Sequence, residues 1–493
     1  MRIGFDQEKY TRLQSERILA RIDHFGGKLY LEFGGKLFDD YHATRVLPGF
    51  PPDAKIRMLL ELREQAEIVI VINANDIEKS KIRGDLGITY DLDVLRLIDA
   101  FRGFGLYVGS VVLTRYAGQN AADQFEQRLN ALGVRVYRHY PIAGYPTDVN
   151  HIVSEEGFGR NDYIETSRPL VVVTAPGPGS GKMATCLSQV YQENRRGLKA
   201  GYAKFETFPI WNLPLKHPVN VAYEAATADL ADVNMIDPFH LDAYGEKTVN
   251  YNRDIEIFPV LETLFERVWG ESPYRSPTDM GVNMIGYCIS DDDVCRAAAR
   301  QEIIRRWFAA RCASLDGTAG PEQADKIQLL MRQLNITEDE RPVIGAARNR
   351  QQATGQPALA IQLRDGAIVT GKTSDLMGPS AAVVLNALKQ LAGIGKATHL
   401  IAPEVLGPVQ ELKCKYLGNH NPRLHSDEVL IALSVSAASD EAAARALAAL
   451  KDLKDCEAHA TVMLTASDRN TFRRLGVRLT TDPVYQNHKL FHR

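Results

Sequence analysis

The sequence predicts an α/β fold: an open, mostly parallel, doubly wound sheet, followed by a second, smaller α/β domain. Three observations predict it. Strand-like runs recur through the first half, most of them separated by roughly 25 to 40 residues of helical pattern, the spacing of βαβ units. Two of these runs, Ile68–Ile72 and Leu170–Val173, are unbroken apolar segments, as expected of strands covered by helices on both faces. The chain of 493 residues is also too long for one ordinary domain.

In chain order, the expected strands of the large domain are Lys28–Phe33, Ile68–Asn73, Tyr107–Leu113, Val134–Tyr137, Leu170–Thr174, Gly201–Phe205 and Val233–Asp237. A charged, helix-rich connection runs from Asp291 to Leu334, interrupted by a loop at Leu315–Pro321. Asp365-Gly366 between Leu359–Leu363 and Ala367–Thr370 signals a hairpin. Ser380 is placed to cap a helix that ends at Leu391. Strands are then expected at His399–Ala402, Val429–Val435 and Thr461–Leu464, with an alanine-rich helix carrying Leu447, Leu450 and Leu453 between the last two. The expected division is a large domain over residues 1–320, divisible near 165, a connection over 291–334, and a small domain over 335–493.

Composition narrows the function. Hydrophobic residues make up 45% and charged residues 24%, which suits a globular chain with large cores. The net charge is −3 and the basic residues are scattered, so the stripe that nucleic-acid binding needs is missing. No run approaches the roughly 18 apolar residues of a membrane span, and the charged start is not a secretory signal. The six cysteines form no C-x-x-C pair, which argues against a disulfide framework or a zinc site. The expectation is a cytoplasmic protein with reduced thiols and no metal-ligand set. Its partner is a small phosphate-bearing ligand rather than nucleic acid or membrane, and it assembles as an oligomer of identical chains.

The most informative segment is Val171–Thr185 (VVVTAPGPGSGKMAT). A buried strand runs into a turn with Gly177, Gly179 and Gly181, and a helix follows with Met183, Leu187, Val190 and Tyr191 at helical spacing. Glycines allow left-handed backbone and close approach to a ligand. Successive amides can then form an anion nest at a helix start, with Ser180 inside it and Lys182 reaching the outer phosphates. The P-loop pattern G-x-x-x-x-G-K-[ST] is met incompletely: Pro176 replaces its first glycine and Met183 its Mg²⁺-binding hydroxyl. ATP or GTP, with Mg²⁺, is the ligand that pattern implies. The dinucleotide pattern G-x-G-x-x-G implies NAD(P) instead, but its third glycine falls one position early, at Gly181. A tight structural turn with an exposed lysine is the plain alternative to both.

The runs Gly177–Gln189 (GPGSGKMATCLSQ), Tyr202–Asn220 (YAKFETFPIWNLPLKHPVN), Ala222–Asp229 (AYEAATAD), Ser276–Asn283 (SPTDMGVN) and Asn421–Leu433 (NPRLHSDEVLIAL) resemble a bacterial family known as domain of unknown function 1846. The resemblance spans nearly the whole chain. It implies a cytosolic bacterial protein of two-part α/β build and brings no reaction with it.

Further polar residues follow the strands that flank the turn. Lys204 and Glu206 share one face of their strand by its two-residue period. Lys204 is a further candidate for binding the phosphate; Glu206, with Asp237 and His240 after the next strand, is a candidate for acid–base work, although a capped turn accounts for Asp237 and His240 equally. Arg253 is a candidate phosphate clamp. In the small domain, Arg423, His425 and Asp427 lie close together as a site or a contact surface. Phe33-Gly34-Gly35-Lys36 faintly resembles the glycine turn that amino-acid kinases place after a first strand. The expected function is a phosphate- or nucleotide-dependent enzyme acting on a small molecule. The alternatives are a binder without turnover and a structural oligomer.

Overall fold

The computed structural model describes residues 2–35, 37–38, 40–83, 86–230 and 232–486; Lys36 of the glycine turn after the first strand therefore lies outside the described residues. The chain divides into two compact units, residues 2–299 and 300–493, with the division inside the helix Asp292–Leu315.

The strands of the first unit are β1 (Leu29–Phe33), β2 (Ala66–Asn73), β3 (Ile82–Arg83), β4 (Ile88–Thr89), β5 (Tyr107–Thr114), β6 (Arg135–Arg138), β7 (Leu170–Thr174), β8 (Gly201–Phe205), β9 (Asn234–Ile236), β10 (Val249–Tyr251) and β11 (Gly281–Val282). Seven of them form one all-parallel sheet in the order β11-β8-β1-β7-β2-β5-β6. Every residue of β1, β2 and β7 is buried, which explains why those strands read as continuous apolar runs. On one face, Tyr30, Val171, Val173 and Tyr202 pack under Cys186, Leu187 and Val190 of the helix Lys182–Arg195 and under Phe258, Leu261 and Phe265 of the helix Asn252–Trp269. On the other face Phe33 stacks on Phe205 with ring centroids 4.0 Å apart.

Six of the seven strands expected in the first unit lie in this sheet. The seventh, expected at Val233–Asp237, is instead β9, paired antiparallel with β10 in a separate two-stranded ribbon. All three residues of β9 pair with β10, Asn234 with Tyr251, Met235 with Asn250 and Ile236 with Val249, so the ribbon takes up the whole strand. The seventh place goes to β11, whose two residues give no pattern to read.

The strand order creates a reversal. From β1 the chain proceeds to β2, on the β7 side. From β7 it returns past β1 to β8, through the helix Lys182–Arg195. Right-handed crossovers in opposite directions put their helices on opposite faces. The connections leaving β1 and β7 therefore part, and the carboxyl ends of these adjacent strands border a crevice. This is where doubly wound sheets bind ligands.

The second unit has β12 (Ala358–Gln362), β13 (Ile368–Lys372), β14 (Glu457–Ala460) and β15 (Arg478–Thr481) in the order β13-β12-β14-β15, with only β14 and β15 parallel. The expected hairpin is β12–β13. Four local expectations are corrected. Residues Val429–Val435 form a helix, Ser426–Ser436: Val429, Ala432 and Leu433 are buried while Ile431 and Val435 face solvent, a helical period hidden inside an apolar run. The strand expected at Thr461–Leu464 lies earlier, at Glu457–Ala460, and His399–Ala402 has no strand. Gly378, not Ser380, stands at the cap of the helix Pro379–Leu391, and Ser380 is buried. Among the described residues no helix is long and apolar enough to cross a membrane.

Candidate functional site

The turn after β7 is built asymmetrically. Three of its carbonyls, those of Gly177, Ser180 and Gly181, are hydrogen-bonded. Thr114 at the end of β5 donates its hydroxyl to the Ser180 carbonyl at 2.6 Å, Ser180 donates its own to the Gly177 carbonyl at 2.8 Å, and the Gly181 carbonyl accepts from the Thr185 amide. The amides are left over. Among the described residues, the N–H groups of Gly177, Gly179, Ser180, Gly181, Lys182, Met183 and Ala184 reach no protein acceptor. They gather at the start of a 14-residue helix, where the dipole favours an anion. Lys182 is half-buried and makes no hydrogen bond or ion pair with any described residue.

The glycines have steric reasons. Gly179 and Gly181 sit at φ +74° and +93°, in the left-handed region. A Cβ on Gly177 would lie 2.3 Å from the Tyr90 hydroxyl, and one on Gly181 3.1 Å from Thr114. Tyr90 and Thr114 thus brace the turn from the β2–β5 side. Arg115, which follows Thr114, is exposed and held at φ +52°, an uncommon conformation for a residue with a side chain. Met183 offers no oxygen where a P-loop holds its metal. Thr185, the nearest helix hydroxyl, is fully buried and unpartnered among the described residues.

On the other side of β1 the structure brings Lys204 and Glu206 together. Lys204 Nζ lies 2.7 Å from Glu206 Oε1 and donates to both oxygens of Asp254, at 2.7 and 2.6 Å. Asp254 is in the first turn of the helix Asn252–Trp269, so a second helix start faces the same edge of the sheet. Glu32 stands in register with Lys204 and accepts the Tyr202 hydroxyl at 2.8 Å. Burial by itself would lower the pKa of Lys204, but Asp254, Glu206 and Glu32 outweigh it and hold the ammonium charged. Lys204 is therefore a fixed cation and not a nucleophile. Burial, with help from Asp254 and Glu32 and against Lys204, lifts Glu206 to about 7.

Asp237 and His240 are engaged elsewhere. Asp237 is fully buried. It caps the helix Pro238–Tyr244 through the His240 amide and accepts the amide and hydroxyl of Thr278. The His240 ring contacts Ser276 Oγ at 2.8 Å. Arg253 pairs with Asp232 at 2.6 Å. In the second unit, Arg423 donates to the Ser374 carbonyl, Asp427 accepts from Ser467, and His425 caps its helix while its ring contacts Asp468 at 3.1 Å. These three residues take three separate partners rather than one shared site. Two surface concavities, of about 380 and 450 Å³, lie away from the turn; Trp307 and Arg311 line the first, and His151 and Arg160 the second.

Sequence reasoning missed Tyr90, Thr114, Glu32 and Asp254. Two signals were available: a lone Glu inside Leu29–Phe33 and a lone Lys inside Gly201–Phe205, each a charge in an otherwise buried strand.

The model of the domain of unknown function DUF1846, N-terminal, matches residues 3–335, and its C-terminal counterpart matches residues 339–491. The chain belongs to the DUF1846 family. Among its relatives is UPF0371 protein SpyM50764 of Streptococcus pyogenes serotype M5, 60% identical over 491 residues that cover 100% of this chain and 99% of the relative. UPF0371 protein stu1377 of Streptococcus thermophilus is 59% identical, with 99% of each chain covered. The family's description has an N-terminal and a C-terminal part and assigns no reaction.

Proposed function

We propose that this DUF1846 chain holds the phosphate group of a small-molecule ligand in the turn Ala175–Lys182, as an enzyme acting on that molecule. One observation carries the reading. Seven backbone amides at a helix start lack an acceptor among the described residues, while the carbonyls of Gly177, Ser180 and Gly181 beside them are hydrogen-bonded. Unpartnered amides on buried or half-buried residues, as all of these but Gly179 are, are costly, so a cluster of them beside a lysine with no ion pair to any described residue is a place for an anion. The position, at the crevice where the connections of β1 and β7 part, supports the same reading.

Binding without turnover is the second reading. It is favoured by Met183, which leaves the P-loop pattern without its metal-binding hydroxyl. A thermal-shift panel of inorganic phosphate, sugar phosphates, ATP, GTP and NAD(P), on wild type and Lys182→Ala, tests both. A ligand at 100 times its Kd should stabilise the wild type by about 2.7 kcal/mol. Lys182→Ala should weaken it by roughly 10- to 100-fold, the weight of one charge-assisted hydrogen bond. Release of phosphate, or another conversion of the bound compound, separates the enzyme from the binder. Binding that is unchanged in Lys182→Ala refutes the turn as the site.

A further inference from the structure

The turn is not the end of the polar ground along this edge. β1 separates β7 from β8, so Lys204 and Glu206 stand two strand spacings, roughly 10 Å, from the phosphate turn. Both groups lie on one face of the sheet. Glu32 is in register with Val173 of β7 and with Lys204 of β8. Cys186, one helical turn past Lys182, is buried, and its thiol is held well above its usual range by that burial and by the Glu32 carboxylate, with Lys182 acting against it. Lys182 and Glu32 thus act on the same side chain, and the two polar regions adjoin.

The cluster differs from a structural ion pair in two respects. Lys204, Glu206 and Asp254 each keep 18–19% of their side-chain surface exposed, so solvent reaches all three. Next to them the Tyr251 hydroxyl, on a residue 6% exposed, lies beside Tyr223 and Glu206, and among the described residues its contact with Tyr223 falls short of ordinary hydrogen-bond geometry. After β1 come two glycines, the second with Lys55 Nζ, paired to Asp40, 3.0 Å from where its Cβ would stand. Gly34 fits against the Phe205 carbonyl and Glu206, where a Cβ would sit 2.9 Å from that carbonyl, and Gly35 follows at φ +72°.

We propose that the ground over the end of β1, bordered by Glu32, Lys204, Glu206 and Asp254, receives the hydroxyl-bearing part of a sugar- or polyol-like phosphate whose phosphoryl group sits in the Gly177–Lys182 turn. The inference rests on the phosphate reading above and adds the class of ligand. Charge selects the class. Three carboxylates around one lysine oppose a second phosphate or a carboxylate, and the lysine opposes an amine. A hydroxyl group suits both kinds of neighbour, because it donates to a carboxylate and accepts from an ammonium. The position of Glu206, against a solvent-reached cleft and with a pKa lifted to about 7, also lets it exchange a proton with such a hydroxyl.

The test is isothermal titration with inorganic phosphate, pyrophosphate, glycerol 3-phosphate, hexitol 6-phosphate and hexose 6-phosphate, on wild type, Lys182→Ala, Glu206→Gln and Asp254→Asn. Melting of each free protein is measured alongside. In the wild type, hexose or hexitol phosphate should bind about tenfold or more tighter than inorganic phosphate, one charged hydrogen bond being worth about that factor. Glu206→Gln and Asp254→Asn should bring the sugar phosphates down towards inorganic phosphate without weakening inorganic phosphate itself. Lys182→Ala should weaken every compound. Equal wild-type affinity with and without hydroxyl groups overturns this inference alone, as does pyrophosphate binding tighter than the sugar phosphates. No binding of any phosphate overturns the phosphate reading and this inference with it. The wild-type comparison decides the matter even if a variant fails to fold.

Discussion

Gly177→Ala tests the architecture of the turn more sharply than any change to the lysine. The added methyl would lie 2.3 Å from the Tyr90 hydroxyl, 2.7 Å from its Cζ and 3.0 Å from its Cε2. Ordinary contacts begin near 3.4 Å, so ring or turn must retreat by roughly 1 Å. The ring is the less movable partner. Tyr90 is 6% exposed, it begins the helix Tyr90–Gly103, and Lys81 sits over its face at 4.9 Å. The turn therefore yields. Overpacking of this kind costs about 1–3 kcal/mol, which in a unit of this size lowers the melting temperature by roughly 2–10 °C. The larger effect falls on binding. A displacement of about 1 Å breaks the convergence of the amides, and affinity for phosphate should drop roughly 100-fold, as for other small misplacements of a preorganised site. Calorimetric melting and phosphate titration of Gly177→Ala, Tyr90→Ala and the double variant complete a cycle. The double variant has room for the methyl, so the alanine should cost far less in the Tyr90→Ala background than in wild type. An alanine cost that is the same in both backgrounds would show that Tyr90 does not brace the turn.

Two further outcomes concern the second unit. Arg341 is 1% exposed; it pairs with Glu457 and donates to the Ala458 and Arg478 carbonyls and to Thr480. Arg341→Ala removes all these donors at once and should cost about 3–5 kcal/mol in urea unfolding, whereas a loss under 1 kcal/mol would mean that the network is dispensable. Burial would raise the pKa of Asp468, but His425 and the amide and hydroxyl of Ser426 bring it down to about 2 from an ordinary 3.8. A depressed folded-state pKa contributes stability above the unfolded value, lost as pH falls through the folded one. The contact with Asp468, ahead of burial that opposes it, raises His425 above its ordinary 6.5, and that contribution fades as pH rises past the folded value. Asp468→Asn should therefore lose about 2 kcal/mol near pH 5–6. The gap to wild type should narrow below pH 3 and again above pH 7; a gap that stays level from pH 2 to 8 would contradict the assignment.

Much of this was legible from residue patterns. Strands buried on both faces announce themselves as unbroken apolar runs, and β2 and β7 were readable for that reason. The glycine turn was readable because Gly179 and Gly181 answer a local demand for left-handed backbone, whereas the reason for Gly177, the distant Tyr90, was not. Spatial order was not readable. The insertion of β7 between β1 and β2 depends on pairings more than 100 residues apart, and it places Lys204 two strands from the turn rather than one. The helix Ser426–Ser436 was misread because Val429–Val435 has apolar residues on both its buried and its exposed sides, which erases the helical period. Asp237 and His240 drew attention as acid and base, yet an aspartate just before a proline is also a strong cap signal, and the structure shows the aspartate in that role.

The central place of β1 has a consequence for how the chain is made. Leu29 pairs with Leu170 on one side and with Gly201 on the other, so β1 waits for two strands made well over a hundred residues later. Until then β2 and β5 can pair, while β1 carries five buried-type side chains and two open edges. At about 5–20 residues per second that interval lasts of the order of ten seconds. High contact order of this kind slows folding, so the chain is a natural client for chaperones that cover unpaired strand edges.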